Sequence, residues 1–179
     1  MRKDVKGKSG YEIGAGNKLE AKTPVDSTYN DGDNKLVTMM FNYGKYLMIS
    51  GSRPGDTEND IPISQPLNLT GKWNGTNNPS WAGKYTININ TEMNYWPSQP
   101  LNLSECVFPL TEMLQQLAEN GSITADYQYG IKNHRNDDKY IPGDPWVMHN
   151  NTDLWRGTQF VDNSDVLWPM GGALSLIHI

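Results

Sequence analysis

Two asparagines, Asn88 and Asn90, stand on either side of one isoleucine in a stretch rich in amides and aromatic rings. Along an extended backbone alternate side chains share a face, so we expect both carboxamides to point the same way. Each carboxamide has one acceptor oxygen and two N–H donors, and a pair of them can orient a water molecule or a sugar hydroxyl. The aromatic rings between Trp81 and Pro97 offer apolar faces on which sugar rings can lie. The alternative interpretation is a polar turn between core strands, in which the amides serve only the fold.

This segment is one of seven blocks that resemble a known enzyme family, at residues 41–55, 69–74, 81–97, 102–105, 117–121, 149–156 and 168–173. Over residues 34–173 the blocks resemble, in order, glycoside hydrolase family 95, the inverting alpha-L-fucosidases with some alpha-L-galactosidases. Any one block would be a weak signal, but their common order makes a chance resemblance very improbable.

The resemblance implies a mainly α fold. Residues 34–173 would form the opening helices and active-site loops of an (α/α)6 barrel that is incomplete in this chain, so we expect the helices to expose apolar surface. Residues 1–33 match no block and are predicted to be a linker or disordered tail. Residues 174–179 resemble the translation of a sequencing-adapter end, and we expect them to be an artefact. The alternative is the start of an ordinary apolar helix.

The resemblance also implies the roles of particular side chains. Asn88 and Asn90 would be catalytic, because they would orient the nucleophilic water. Inverting glycosidases need an acid and a base on opposite sides of the scissile bond. Both carboxyl groups would lie downstream of residue 173, so the chain alone is predicted to be inactive. The residues expected to bind substrate are Thr86, His149, Asp153 and Trp168.

One family variation, one departure from the family pattern and two alternative explanations bear on these roles. The family has His or Thr at the position of Thr86, where Thr favours L-fucose over L-galactose, and Asn150 replaces the second of two histidines common in the family. Asp153 also fits the cap of a helix that begins directly after it, and Trp168 also fits core packing.

The chain itself could supply one acid–base pair, Glu92 with Asp153. A structural role is the simpler explanation of Glu92, which could bond to backbone N–H groups or form a buried ion pair with Arg53 or Lys84.

Composition excludes several other classes of protein. The chain has 179 residues and a formal net charge of −5, which fits one domain and argues against binding nucleic acid. No apolar run reaches membrane-spanning length, and the N-terminus lacks an apolar signal region. The three histidines lack metal-ligand spacing, so we predict no metal and no cofactor. The single cysteine, Cys106, is predicted to be a buried apolar group.

Apolar periodicity predicts a first helix over residues 36–49. Asp33 or Asn34 is the expected N-cap, and Gly51 is expected to end the helix. Residues 53–80 are rich in proline and lack any period, so we predict a long ordered loop there.

A second helix is predicted from the apolar stripe over residues 110–118. Asn102 and Glu105 resemble a capping box before it, and the Asn-Gly pair at 120–121 is expected to end it. A short helix, a loop and a short strand are predicted to follow, at residues 122–128, 131–145 and 146–149.

The sequence therefore predicts part of a glycoside hydrolase that removes terminal alpha-1,2-linked L-fucose from glycans by inversion. Its partner would be a fucosylated oligosaccharide or polysaccharide, and the intact protein would be secreted or periplasmic. The alternatives are a carbohydrate-binding module without catalysis, an alpha-L-galactosidase, or another toroidal glycosidase such as an alpha-L-rhamnosidase. A glutamate and an aspartate in the downstream barrel motifs would favour the enzyme over the binding module.

Overall fold

The computed structural model describes residues 11–13, 19–21, 31–132, 140–160 and 167–177. These residues are mainly helical, which confirms the predicted mainly α class. Their helices are α1 (Asp31–Gly51), α2 (Asn90–Tyr95), α3 (Phe108–Tyr129) and α4 (Gly171–Ile177). Two antiparallel strand pairs accompany them, β1 (Tyr11–Ile13) with β2 (Leu19–Ala21) and β3 (Tyr85–Thr86) with β4 (Asn151–Thr152). None of the described helices combines the length and the apolar character that crossing a bilayer requires.

The chain divides into two units, residues 1–44 and 45–179. The first unit contains the β1–β2 pair, in which Ile13 lies opposite Leu19, and the beginning of α1. This strand pair falls inside the segment predicted to be a linker or tail, and the boundary at residue 33 stays a prediction.

Helix α1 confirms the first predicted helix, but its beginning differs. It starts at Asp31, so Asp33 and Asn34 lie inside its first turn and the predicted cap is wrong. The helix ends at Gly51 as predicted, where a Cβ atom would overlap the Leu67 side chain.

Apolar side chains on α1 remain largely exposed. Val37, Met40 and Phe41 expose 68%, 58% and 52% of their surface. The expected apolar surface is therefore present on this helix, and it exceeds what scattered single apolar residues would give.

The core lies in the second unit and is built around α3. Helix α3 contributes Leu110, Met113 and Leu117, which are fully buried. Cys106 packs in the same cluster, as predicted, and burial raises the pKa of its thiol. Side chains from other segments complete the cluster, among them Met48, Leu67, Ile87, Tyr95 and Met148.

A buried chain of hydrogen bonds joins the segments around this core. The Leu67 N–H donates to the Tyr95 hydroxyl at 2.8 Å, and that hydroxyl lies 2.8 Å from the Ser52 oxygen. Ser52 in turn donates to the Cys106 carbonyl at 2.7 Å. Burial raises the pKa of Tyr95 to about 12, so the phenol stays protonated and can donate to Ser52.

Helix α3 corrects two predictions. No side chain caps it or the short 3-10 helix before it (Ser104–Val107), so the predicted capping box is wrong. The predicted break at 120–121 is also wrong, because α3 continues to Tyr129 and absorbs the predicted helix at 122–128. A Cβ on Gly121 would lie 2.6 Å from the Val147 carbonyl, so this glycine permits a close approach rather than a helix end. Gly130, whose φ is 64°, is the C-cap of the helix after Tyr129.

The predicted loop at residues 53–80 is confirmed: these residues contain no helix or strand before the 3-10 helix that begins at Ser80, and one β-bridge joins Asp56 to Ile61. The predicted strand at 146–149 is wrong. The Val147 N–H donates to the Gly121 carbonyl of α3, so this segment packs on a helix rather than on a strand. Of the predicted loop at 131–145, residues 133–139 lie outside the described part of the chain.

Candidate functional site

The strand pair β3–β4 brings two of the predicted site segments together. Tyr85 lies opposite Thr152, and Thr86 lies opposite Asn151. The pairing continues one residue further, where the Ile87 N–H donates to the Asn150 carbonyl at 2.7 Å. Residues of the 81–97 and 149–156 blocks are therefore neighbours in space, although they are far apart in the sequence.

Asn88 and Asn90 follow this strand pair but do not continue it. Residues 87–89 form a turn, and Asn90 is the first residue of α2. The predicted extended backbone is therefore wrong, and strand alternation does not relate the two side chains. Ile87 is fully buried in the core, and Ile89, with ψ of −28°, leads directly into the helix.

The carboxamides of Asn88 and Asn90 are not used by the fold. Asn88 is exposed and Asn90 is partly exposed. Within the described part of the chain, neither side chain makes a hydrogen bond to the protein. An amide that stabilises a polar turn normally bonds to the backbone of that turn. These two amides instead keep their donors and acceptors available.

Thr86 is buried, and its hydroxyl donates to the Asn151 side-chain oxygen at 2.9 Å. This hydrogen bond joins β3 to β4 directly beneath the turn that carries Asn88. The predicted contact of Thr86 with substrate stays a prediction, while the observed contact fixes the strand pair.

His149 is fully buried and connects two other segments. The Trp168 N–H donates to Nδ1 of His149 at 3.3 Å. The ring proton of the neutral imidazole is therefore on Nε2, which lies 3.3 Å from the Tyr129 hydroxyl. Burial lowers the pKa of His149, which keeps the ring neutral and Nδ1 able to accept. His149 therefore helps to position Trp168 through the backbone of that residue. Trp168 is 38% exposed, so it does not belong to the core.

Asp153 is exposed and organises a turn. Its Oδ1 accepts the N–H groups of Trp155 at 2.9 Å and Gly157 at 3.1 Å. No helix begins after Asp153, so the helix-cap alternative is wrong. The side chain does bond to backbone N–H groups, but they belong to a turn. Among the described residues its Oδ2 makes no hydrogen bond, which leaves one carboxylate oxygen for a sugar hydroxyl.

Arg156 is a buried residue that the sequence reasoning missed. Its Nε donates to Gln116 and its Nη2 to Gln65, both at 2.8 Å, while Nη1 donates to the Asp153 carbonyl at 3.2 Å. Burial lowers its pKa. The guanidinium thereby fixes the turn of Asp153 against α3 and the long loop. The only sequence feature that could have identified Arg156 is its position at the end of the 149–156 block.

The acid–base pair that the chain could supply is not arranged for catalysis. Glu92 is only 1% exposed inside α2, so a substrate cannot reach its carboxyl group in this structure. Among the described residues no three metal-ligating side chains form a cluster. A cleft of about 730 Å³ lies in the second unit, and its lining includes Arg53, Asp56 and Glu105 but none of the predicted site residues.

Comparisons with known proteins show what this chain is similar to. A model described as "Glycosyl hydrolase family 95 catalytic domain" matches residues 10–179, a range that extends beyond 34–173 on both sides. The chain is 40% identical over 156 residues to "Alpha-L-fucosidase 2" of Arabidopsis thaliana, covering 86% of this chain and 16% of the relative. It is 34% identical over 142 residues to "Probable alpha-fucosidase A" of Aspergillus niger, covering 78% and 16%. The protein of that name from Aspergillus oryzae is 31% identical over 137 residues, covering 76% and 16%.

Proposed function

The chain belongs to the family of glycosyl hydrolase family 95 catalytic domains, and from this premise we propose that it supplies the water-positioning part of an alpha-L-fucosidase. The substrate would be terminal alpha-1,2-linked L-fucose on an oligosaccharide or polysaccharide, hydrolysed with inversion. The chain spans 16% of the length of the relatives named as fucosidases, so the activity belongs to a longer protein. In that protein these helices would open an (α/α)6 barrel, and the protein would act outside the cytoplasm.

The observation that carries this proposal is the pair of unused carboxamides at Asn88 and Asn90. An amide oxygen is a poor base, but it can accept a hydrogen bond from a water molecule and so fix its direction of attack. The proton must pass to a carboxylate, which this pair does not provide. We place that base, and the acid that protonates the leaving oxygen, in the remainder of the barrel.

The surrounding side chains divide into two roles in this proposal. Asp153 and Trp168 reach solvent and would contact the sugar directly, through a carboxylate oxygen and an aromatic face. Thr86 and His149 are buried and would act through the parts that they hold, the strand pair and Trp168.

The test is hydrolysis by the full-length protein that contains this chain, offered aryl alpha-L-fucoside, alpha-L-galactoside and alpha-L-rhamnoside. The proposal expects preference for the fucoside and release of β-L-fucose as the first anomer seen by proton NMR. Release of the α anomer would contradict inversion. Preference for the galactoside or the rhamnoside would show that fucose is not the substrate. Binding of fucosylated glycan without turnover would indicate a carbohydrate-binding module instead of an enzyme.

A further inference from the structure

The chain contains two Asn-Gly pairs, and the structure gives them opposite surroundings. Asn74-Gly75 lies in the long loop before the 3-10 helix at Ser80, whereas Asn120-Gly121 lies inside α3. An Asn-Gly pair is a chemically reactive sequence. The backbone nitrogen of the glycine can attack the side-chain carbonyl carbon of the asparagine, because glycine has no Cβ atom to hinder the approach. The surroundings of each pair therefore decide whether this reaction can proceed in the folded protein.

The first pair is open to attack. Asn74, Gly75 and Thr76 are exposed, and a Cβ atom built on Gly75 would meet no other atom within 4 Å. Within the described residues the Gly75 N–H makes no hydrogen bond, so no acceptor opposes the loss of its proton. The Asn74 side-chain N–H donates to the Thr76 carbonyl, which folds the carboxamide back over Gly75. The attacking nitrogen and the carbon that it would attack therefore lie in one short, solvated turn.

The second pair is held in place. As an interior residue of α3, Gly121 uses its N–H in the hydrogen-bond ladder of the helix. Its carbonyl accepts the Val147 N–H at 3.1 Å, and a Cβ atom would lie only 2.6 Å from the Val147 carbonyl, so another segment packs directly on this backbone. The Asn120 side-chain N–H donates to the Arg156 carbonyl at 2.9 Å. Attack at Asn120 therefore requires that this turn of the helix open first.

We propose that Asn74 is a site of spontaneous deamidation, in which water is the only reagent, and that the fold protects Asn120 from the same reaction. The Gly75 nitrogen loses its proton and bonds to Cγ of Asn74. The bond from Cγ to Nδ2 breaks, and Nδ2 takes up a proton and leaves as ammonia. Water then opens the resulting cyclic imide at either of its two carbonyl carbons. The products are aspartate and isoaspartate, in which the backbone runs through the side chain.

The reaction changes the turn as well as the residue. The new carboxyl group is ionised at neutral pH, so a chain with a formal net charge of −5 gains one more negative charge on this loop. A carboxylate has no donor, so it cannot replace the hydrogen bond from Asn74 to the Thr76 carbonyl. Two acceptor oxygens would face each other instead, and we expect the turn around Gly75 to open in the product.

The test follows both asparagines in one sample of the full-length protein, kept folded in mildly alkaline buffer made with heavy-oxygen water. Peptide mapping by mass spectrometry detects the replacement of the amide NH2 by a hydroxyl group that carries the heavy isotope. Asn74 should convert at least about tenfold faster than Asn120, since a helix opening that costs about 1.4 kcal/mol already slows Asn120 by that factor. In concentrated urea the two rates should become similar. Equal rates in the folded protein, an unreactive Asn74, or a difference that persists in urea would overturn the proposal.

Gly75→Ala is the matched variant for the mechanism. The φ of Gly75 lies outside the left-handed region and its surroundings are open, so alanine should leave Tm unchanged while its methyl group hinders the attacking nitrogen. Conversion of Asn74 should slow severalfold in this variant, and in the wild type isoaspartate should accompany aspartate. An unchanged rate in Gly75→Ala, or aspartate as the sole product, would indicate direct hydrolysis of the amide and would overturn the attack by Gly75. Neither measurement requires glycosidase activity, so both decide the matter whatever the substrate of the enzyme.

Discussion

The turn that begins at Asn68 and the turn that carries Asn88 use the same residue type in opposite ways. Oδ1 of Asn68 accepts three hydrogen bonds, from the N–H and hydroxyl of Thr70 at 3.1 Å and from the Lys72 N–H at 2.9 Å. The amides of Asn88 and Asn90 accept and donate none within the described residues. The first turn consumes its amide to fold, whereas the second leaves its amides for something else. Hydrogen-bond use, rather than residue type, therefore distinguishes the structural Asn68 from the two asparagines that we propose to be functional.

The largest expected effect concerns the catalytic acid and base, which the turn of Asn88 does not provide. The 179-residue chain alone should release no measurable fucose from 2′-fucosyllactose. A general acid or base contributes about 10² to 10⁴ in rate, and because the proposal places both groups outside this chain, the chain alone should show no turnover. The assay compares the purified chain with the full-length protein at equal concentration. Turnover by the chain alone would mean that Glu92 and Asp153 act as the acid–base pair after all.

Asp153 should show how an exposed side chain can serve both uses. Asp153→Ala removes the Oδ1 that holds the turn and the Oδ2 that would contact the sugar. We expect kcat/KM for the fucoside to fall about ten- to a hundredfold with a raised KM, because hydrogen bonds to a charged group contribute about 1.5–3 kcal/mol. Asp153→Asn is the matched control, since it can keep the backbone bonds while losing the charge. If the two variants behave alike, the charge has no part in binding.

Stability measurements should separate the two turns directly. Asn68→Ala leaves the Thr70 and Lys72 N–H groups without their acceptor, and it should lower the free energy of unfolding by about 1–3 kcal/mol. Asn88→Ala removes an exposed side chain with no partner in the described structure, and it should change that energy by less than about 0.5 kcal/mol. Urea unfolding of the full-length variants provides the comparison. A large loss in Asn88→Ala would make its amide structural.

The smallest expected effect is the pH dependence that His149 adds. Burial lowers its folded pKa below the unfolded value of about 6.5. At pH values between these two pKa values the unfolded chain therefore binds more protons than the folded chain. Its stabilising contribution is therefore complete above about pH 6.5 and is lost as the pH falls through the folded pKa. His149→Gln should flatten the unfolding free energy between about pH 7.5 and 5.5 relative to wild type. An unchanged pH profile would show that folding does not shift the pKa of His149.

Periodicity predicted the parts of the fold that depend on local sequence. The apolar stripes of α1 and α3 identified both helices because each buries or presents a face at helical spacing. The continuation of α3 past Gly121 could not be predicted in this way. That glycine is explained by the approach of Val147, which comes from a distant part of the chain. In sequence alone an Asn-Gly pair looks like a helix end.

The structure tests the geometry of the candidate site, whereas the roles of its residues stay predictions. The blocks selected Thr86, Asn88 and His149, and the structure brings their segments together through β3 and β4. The burial of Thr86 and His149 was not visible in the sequence, because it depends on Asn151, Tyr129 and Trp168 as partners. The turn after Ile87 was likewise set by tertiary burial, which overrode the strand propensity of its neighbours.

The most direct test of the account is the steady-state kinetics of Asn90→Ala in the full-length protein on 2′-fucosyllactose, with Asn120→Ala as the control. Asn120 donates to the Arg156 carbonyl at 2.9 Å, so its amide serves the fold. An oriented hydrogen bond that acts mainly in the transition state is lost chiefly from kcat, so Asn90→Ala should lower kcat about 10²- to 10³-fold with little change in KM. Asn120→Ala should lower Tm and leave kcat near normal. A near-normal kcat in Asn90→Ala, with only weaker substrate binding, would contradict the claim that these amides position the attacking water.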